Sequence, residues 1–460
     1  MKLHLAFASA TALGLVMATG AFADENEAYL LQDGTGNSAS VTQNSNAIAG
    51  NQAGTSTDAV NQTGSNNVLV ILQSGDDGEI GVRSDTEQYF NPDYPSSGGI
   101  PQFTITYQGV NQTSSGAGSN TATLTQNGNG SVIGDLQQTS SGKALGNSAT
   151  ATQTGDNTIN HIWQTQNSAS VGNVIIATQD GSGNTIDRID QRGTGTGSSN
   201  NSITVDISGN NNGTVHLNGL SNFYSSRAWA AGATQSALIQ NNYGLNGATL
   251  WPEVYGNVID LDISGDNNQF GMTQKGTVNT TGTVTISGDN NTFGSYQAGN
   301  NNVIGTGGIA GNFNDVGIYQ SGDANTATVD VLIGTSDNNG LTIAQVGNNN
   351  DANASITGDG NGNASFSGVA STLVANSNGY LSGGVIFQGG TSGNFGNVAD
   401  LTIVGNNNAF AISSIGNQNQ VTGVVDNSNS NSAAVLQVGN SNVASYSQAG
   451  AGSNSVAISQ

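Results

Sequence analysis

Cysteine is absent from the 460 residues, which removes both a disulfide framework and any cysteine-ligated metal. A thiol-free chain suits oxidising space, where an unpaired thiol would be a liability. Positive charge is nearly missing as well: 7 Lys and Arg stand against 30 Asp and Glu, a formal net charge of -23. Nucleic-acid binding needs a basic footprint to displace phosphate counterions, so this composition excludes it. Hydrophobic residues make up 35% and aromatics 6%, too little for a thick globular core in so long a chain. Long apolar runs are also lacking beyond the N-terminus. Residues 68–72 are a typical maximum, far short of the roughly 20 that span a bilayer, so no membrane span is expected in the mature chain. Proline, at 4 residues, and lysine are too scarce for an ordinary disordered composition.

What the chain has instead is amide and glycine. Counting gives 64 Asn and 30 Gln, together 94 of 460 residues, beside 67 Gly. The first 23 residues are of another kind. Lys2, an apolar stretch over residues 5–17 and the Ala21-Phe22-Ala23 triplet form the n-region, h-region and cleavage site of an export signal. Cleavage after Ala23 would leave 6 basic and 30 acidic residues.

The remainder repeats. Gln32, Gly34, Asn37, Ala39 and Gln43 set a spacing that returns as Gln437, Gly439, Asn442, Ala444 and Gln448. Between them lie Gln62, Gly64, Asn67, Leu69, Gln73, and then Gln126, Gly128, Ser131, Ile133, Gln137. Gln153, Gly155, Thr158, Asn160 and Gln164 follow. A sister form has Ile in place of the first Gln: Ile263, Gly265, Asn268, Phe270, Gln274, and Ile286, Gly288, Asn291, Phe293, Gln297. The last copy ends Asn454, Val456, Ile458, Gln460. Gln-to-Gln spacing is 11 where the unit is regular, as from Gln32 to Gln43, so two units predict a coil of about 22 residues.

Strand alternation explains the unit. Over residues 37–43, Asn37, Ala39, Val41 and Gln43 share one face, while Ser38, Ser40 and Thr42 share the other. The glycine piece between is a tight corner. The expected fold is all-β: a parallel β-solenoid of strand–corner units, two per coil, with loop insertions. Stacking at about 4.8 Å sets Asn over Asn and Gln over Gln, and an amide can both donate and accept along such a column.

The spacing Gln-x-Gly-x-x-Asn-x-Ala-x-x-x-Gln resembles the curlin repeat of bacterial curli subunits. That resemblance implies a secreted protein that assembles into extracellular functional amyloid, in fimbriae or a biofilm matrix, supporting cell adhesion. It implies as partners further copies of itself or related curlin-type subunits, and an outer-membrane export machinery. Gln32, Asn37, Gln43, Gln437, Asn442 and Gln448 would then be ladder positions. The chain departs from the family in its length, in the acidic and apolar residues 24–31, and in its insertions.

The resulting division is a signal peptide over 1–23 and curlin-like repeats over 24–75, 108–217, 257–364 and 394–460. A proline-rich acidic insertion occupies 76–107, with Pro92, Pro95 and Pro101, and is expected to lie outside the stack as a loop or cap. An aromatic insertion occupies 218–256, with Phe223, Tyr224, Trp229, Tyr243, Trp251 and Tyr255. A Gly/Ser-rich interruption covers 365–393. The aromatic insertion opens a second reading, a non-polymerising adhesin or carbohydrate-binding surface protein; packing of its rings on the solenoid wall is the plainer explanation. The last copy stops on Gln460 with no charged cap, leaving an edge that favours strand addition.

An enzyme is not expected. His161 and His216 stand 55 residues apart, and His161 falls on the outward parity of its strand, with no nucleophile near either. Asp206, Asp260 and Asp262 share an outward phase, as a calcium column or a solenoid lyase would need. A solvated acidic stripe is the simpler reading. Short rows such as Thr121, Thr123, Thr125 are ordinary exposed strand hydroxyls rather than an ice-binding face. No cofactor is called for.

Overall fold

Alternating apolar and hydroxyl residues separated by glycine corners can fold only as short extended segments turning in one sense, so successive coils pair in parallel. The computed structural model describes residues 2–11, 26–45, 50–82, 86–90, 102–106, 109–116, 118–141, 146–166, 172–193, 200–213, 238–240, 254–305, 307–331, 336–389, 396–426, 429–450 and 452–460. Two compact units are formed, one from Met1–Asn218, Ser236–Ile259 and Lys275–Thr277, the other from Gly219–Gln235, Asp260–Gln274 and Val278–Gln460. Both are parallel β-solenoids, and their coils number about 13 with a mean repeat near 26 residues.

In the first unit one sheet stacks Ser38–Asn44, Val68–Ser74, Thr121–Asn127, Ser148–Thr154, Val174–Asp180 and Ser202–Ser208, each seven residues long and paired without a slip. The opposite sheet stacks Glu27–Thr35, Val60–Ser65, Val110–Ser114, Leu136–Ser140, Gln164–Gln166 and Ile189–Gly193. In the second unit Thr292–Ala298, Asp315–Ser321, Gly340–Val346, Val385–Gly389, Ala409–Ile415, Ser432–Val438 and Ser455–Ser459 form one wall. Thr326–Val331, Asp351–Thr357, Val398–Val404, Gln420–Asp426 and Val443–Ala449 run along the other. Between the walls lies a thin core, one side chain deep from each side. Ile71, Leu124, Ala151 and Ile175 are fully buried in the first unit, as are Ile318, Ile343, Phe410 and Ile403 within a few per cent in the second.

The 22-residue coil is the minimum, not the rule. Asn397 and Asn419, in adjacent coils, are 22 residues apart. Gln274 and Gln297 are 23 apart, and Gln126 and Gln153 are 27. Two seven-residue strands and two four-residue corners make 22; most coils add residues where a strand is interrupted, which the solenoid tolerates on its outer rim.

The insertions also differ from expectation. Within 76–107, Glu79–Ile80 is a strand of the stack, pairing with Gln52–Ala53 and Val132–Ile133. Thr86–Phe90 and Gln102–Thr106 form a separate antiparallel hairpin, and Pro92, Pro95 and Pro101 lie outside the described residues. The interruption at 365–393 contains a helix, Gly368–Asn376, and the ladder strand Val385–Gly389. Ala370 and Leu381 pack on Ala411 and Ala434 of the wall, with Phe366, Leu373, Val374 and Leu436 around them. Small residues at 411 and 434 let the helix approach. Ser455 Oγ anchors it, accepting from the Ala370 amide at 2.9 Å and donating to the Ser367 carbonyl at 2.8 Å. At the N-terminus Lys2–Thr11 is a strand parallel to Glu27–Thr35, and Ala21, Phe22 and Ala23 lie outside the described residues. No helix among the described residues is long and apolar enough to cross a membrane.

Candidate functional site

The sites that this sequence builds are columns, one residue per coil. The corner comes first. In Gly288-Asp289-Asn290-Asn291 the glycine has φ +100° and a Cβ on it would strike the Gly311 carbonyl of the next coil. Both facts exclude any other residue. Asp289 reaches along the stack, its Oδ1 accepting from the Asp266 amide at 2.8 Å, while its own amide donates to Asn312 Oδ1 at 2.8 Å. Asn290 sits at φ +59°, in the left-handed region that Asn enters most easily after glycine. Asn291 then turns inward and begins the ladder. The corner glycines Gly34, Gly64, Gly155, Gly265 and Gly439 likewise have φ between +92° and +126°. Gly128 lies outside that region, but the backbone of Gly155 leaves its Cβ no room.

Asn291 uses every valence of its amide. Its Oδ1 accepts from the Asn314 backbone at 3.0 Å and from Asn314 Nδ2 at 3.1 Å. Its Nδ2 donates to the Gly311 carbonyl at 2.8 Å and to Asn268 Oδ1 at 3.1 Å. Asn37 and Asn67 repeat the bond at 3.2 Å, Asn67 and Asn120 at 3.3 Å. Asn442 and Asn454 join through their backbone amides, to Asn419 Oδ1 at 3.0 Å and Asn431 Oδ1 at 2.9 Å.

The glutamine columns run the opposite way. Gln274 donates to Gln297 at 2.7 Å, Gln297 to Gln320 at 2.9 Å, and Gln320 to Gln345 at 2.9 Å. Gln437 donates to Gln460 at 2.9 Å. In the first unit both walls carry glutamines: Gln32 to Gln62 at 2.6 Å and Gln62 to Gln112 at 2.8 Å on one. On the other, Gln43 donates to Gln73, Gln73 to Gln126 and Gln126 to Gln153, at 3.0, 3.0 and 3.1 Å. Asparagine side chains donate to one another toward lower residue numbers and these glutamines toward higher ones, so their dipoles oppose along the stack, while Gln164 donates back to Gln138 and runs the other way.

Several assignments move. Gln138, not Gln137, stacks between Gln112 and Gln164. The residues Gly134 and Asp135 interrupt the strand and shift its phase by one, and Gln137 turns aside to donate to Asp135 at 2.9 Å. Asn157 replaces Thr158 as the ladder residue, accepting from the Asn184 amide at 3.1 Å, because the corner after Gly155 is one residue short. Gln164 still bonds Gln138, at 3.3 Å. Gln448 does not sit on a glutamine; its neighbour below is Val425, and its Nε2 donates to the Ser432 carbonyl at 3.2 Å.

His161 is buried, not outward. Its strand ends at Asn160, and φ +74° at His161 reverses the parity. It lies 1% exposed with Nδ1 3.6 Å from Asp135 Oδ2, its ring 5.9 Å from that of Trp163. One coil on, Arg188 (φ +70°) donates to Asp190 at 2.9 Å, both nearly buried. These residues fill a bend in the wall, a feature that no spacing in the sequence reveals. His216 and the aromatic residues Phe223, Tyr224, Trp229, Tyr243 and Trp251 lie outside the described residues.

Asp206 and Asp262 are exposed and Asp260 half-buried, accepting from Thr283 Oγ1 at 2.9 Å. Among the described residues no group of three or more acidic or histidine side chains is placed to hold a metal. Asp351 is held above the usual carboxylate range by partial burial and by the charge of Asp400. Burial also pushes the Tyr446 phenol up; its ring fills the space above Gly423. Tyr29 is raised by its hydrogen bond to Glu27.

Compared with protein-family models and with curated proteins, the chain matches none.

Proposed function

We propose that this is a secreted structural protein that self-assembles, or seeds assembly, into curli-like extracellular amyloid fibres, and so serves adhesion and the biofilm matrix. Its partners on this reading are further copies or related curlin-type subunits, with an outer-membrane machinery for export. One observation supports the reading: amide groups without a partner on the first and last described coils complement one another. Asn442 Nδ2 has no hydrogen-bond partner among the described residues, whereas Asn291 and Asn419 spend theirs on the corner carbonyl of the following coil. Gln43 Oε1 likewise has none, in a column where each glutamine accepts from the coil before. A second copy whose Gly34 corner follows Asn442 supplies the carbonyl, and Gln448 Nε2 then reaches Gln43 Oε1. Removal of residues 1–23 would take the strand Lys2–Thr11 off Glu27–Thr35 and bare that edge.

The test is incubation of the mature chain with cross-β diffraction and dye binding followed over time and concentration. A species that stays monomeric for days at high concentration refutes the proposal. Gln448→Ala with Asn442→Ala should slow seeding, and Trp251→Ala should leave it unchanged; the reverse would favour an adhesin that uses its aromatic insertion.

A further inference from the structure

The outer face of the first sheet of the first unit carries an order that the ladders do not require. Its six strands start at Ser38, Val68, Thr121, Ser148, Val174 and Ser202, and pair in register along their full length. Their first three outward positions read Ser38, Ser40, Thr42, then Val68, Val70, Leu72, then Thr121, Thr123, Thr125. The remaining three read Ser148, Thr150, Thr152, then Val174, Ile176, Thr178, then Ser202, Thr204, Asp206. Thr178 and Asp206 apart, the rows read hydroxyl, aliphatic, hydroxyl and then hydroxyl, aliphatic, hydroxyl. The face is a palindrome about the line between the Thr121 and Ser148 strands.

We propose that this face pairs with the same face of a second copy across a two-fold axis parallel to the strands. Such an axis reverses the stacking order and keeps position along each strand, so residue i meets j and j meets i. Val68 falls opposite Val174, Val70 opposite Ile176, and Leu72 opposite Thr178. The threonines of the Thr121 strand meet the hydroxyls of the Ser148 strand. Val68, Val70, Leu72 and Ile176 are 37, 38, 40 and 42% exposed, a solvent-facing aliphatic pattern that this pairing covers.

Charge selects the occupant. The chain carries a net charge of -23, so two copies repel unless the surfaces that meet hold few carboxylates. On this face only Asp180 and Asp206 are charged, and the axis sets them opposite Ser74 and Thr42, not opposite each other. The corresponding wall of the second unit turns Asp262, Asp330, Asp351, Asp400 and Asp426 outward and offers no such surface. Six strands of seven residues span roughly 30 by 23 Å, which on pairing buries on the order of 1,300 Å² from both copies, above the ~1,000 Å² of a specific interface. Lateral pairing is independent of end-to-end growth.

The chain has no cysteine, so introduced thiols report cleanly. In full-length protein carrying Asn442→Ala and Gln448→Ala, a mixture of Val70→Cys and Ile176→Cys chains should form a disulfide dimer roughly tenfold or more faster than either alone, since only opposed Cβ atoms come within bonding range. Equal rates, or faster self-linking of Val70→Cys, overturn the pairing. By sedimentation, Val70→Lys with Ile176→Lys should be monomeric, and Val70→Lys with Ile176→Asp should recover the dimer. Failure of that recovery, a monomeric parent chain, or a monomer that binds an insoluble polysaccharide through this face would each refute it.

Discussion

At the scale of the residue, the corner Gly-x-x-Asn is four demands in sequence: positive φ with close stacking, an acceptor for the neighbouring coil, a left-handed residue, and an inward amide. Where the third demand is met poorly, stability is stored for the taking. Phe313 has φ +58° and is 60% exposed, with its ring gaining little from burial. Phe313→Asn should therefore stabilise the protein by about 1 kcal/mol, read as a shift in urea midpoint. The fourth demand is stricter. Asn291→Ala strands the Asn314 amide in the buried interior and takes the donor from the half-buried Gly311 carbonyl, a loss of roughly 2–4 kcal/mol. Asn291→Asp should be worse at neutral pH than at pH 4, because a carboxylate cannot donate and its charge would be buried. The ladder asparagines and glutamines were legible because stacking needs one residue type at one phase. The second corner position was not, because Asp, Asn and Ser all supply an acceptor there, and sequence shows only variability.

At the scale of the element, small insertions decide phase. Gly134 and Asp135 are enough to move the ladder from Gln137 to Gln138, since a one-residue slip exchanges the two faces of a strand. The same bend buries His161 and Arg188 where parity alone would expose them. Strand-to-strand fit is equally local. Gly423 leaves room for Tyr446 in the next coil, and Gly423→Ala places a methyl against that ring. It should cost about 1–3 kcal/mol and change the near-ultraviolet tyrosine signal. One carboxylate on the acidic wall of the second unit, Asp351, carries a pH dependence. Asp351 binds its proton more tightly folded than unfolded, through partial burial and Asp400. Its contribution to stability is thus fully present below the unfolded carboxylate range and lost as pH rises through the folded value. Asp351→Asn should flatten the rise in stability expected on acidification over that window; an unchanged slope would remove Asp351 as its source.

At the scale of the molecule, no coil is stable alone, because the ladder amides bond to the coils on either side. Unfolding within each unit should accordingly be cooperative along the stack. The charge of -23 opposes contact between copies, and salt weakens that opposition. Raising ionic strength shortens the screening length from roughly 30 Å at 0.01 M to about 8 Å at 0.15 M, so association should accelerate across that range, followed by light scattering. No acceleration would mean that the carboxylates are already too far from the meeting surfaces to matter.

The sequence by itself determined the class of fold, the parallel sense of the strands and most ladder positions. Those follow from local alternation and from a repeat that only stacking can satisfy. Tertiary structure alone decided the coil length, the helix on the wall, the burial of His161 and the palindromic face. Each of these depends on which coil lies beside which. Residues such as Val70 and Ile176, 106 positions apart in the chain, acquire a relation only once the stack has set their rows three strands from one another. The missing cysteines and basic residues, which first excluded so much, leave amides to hold the interior and carboxylates to keep its surfaces apart.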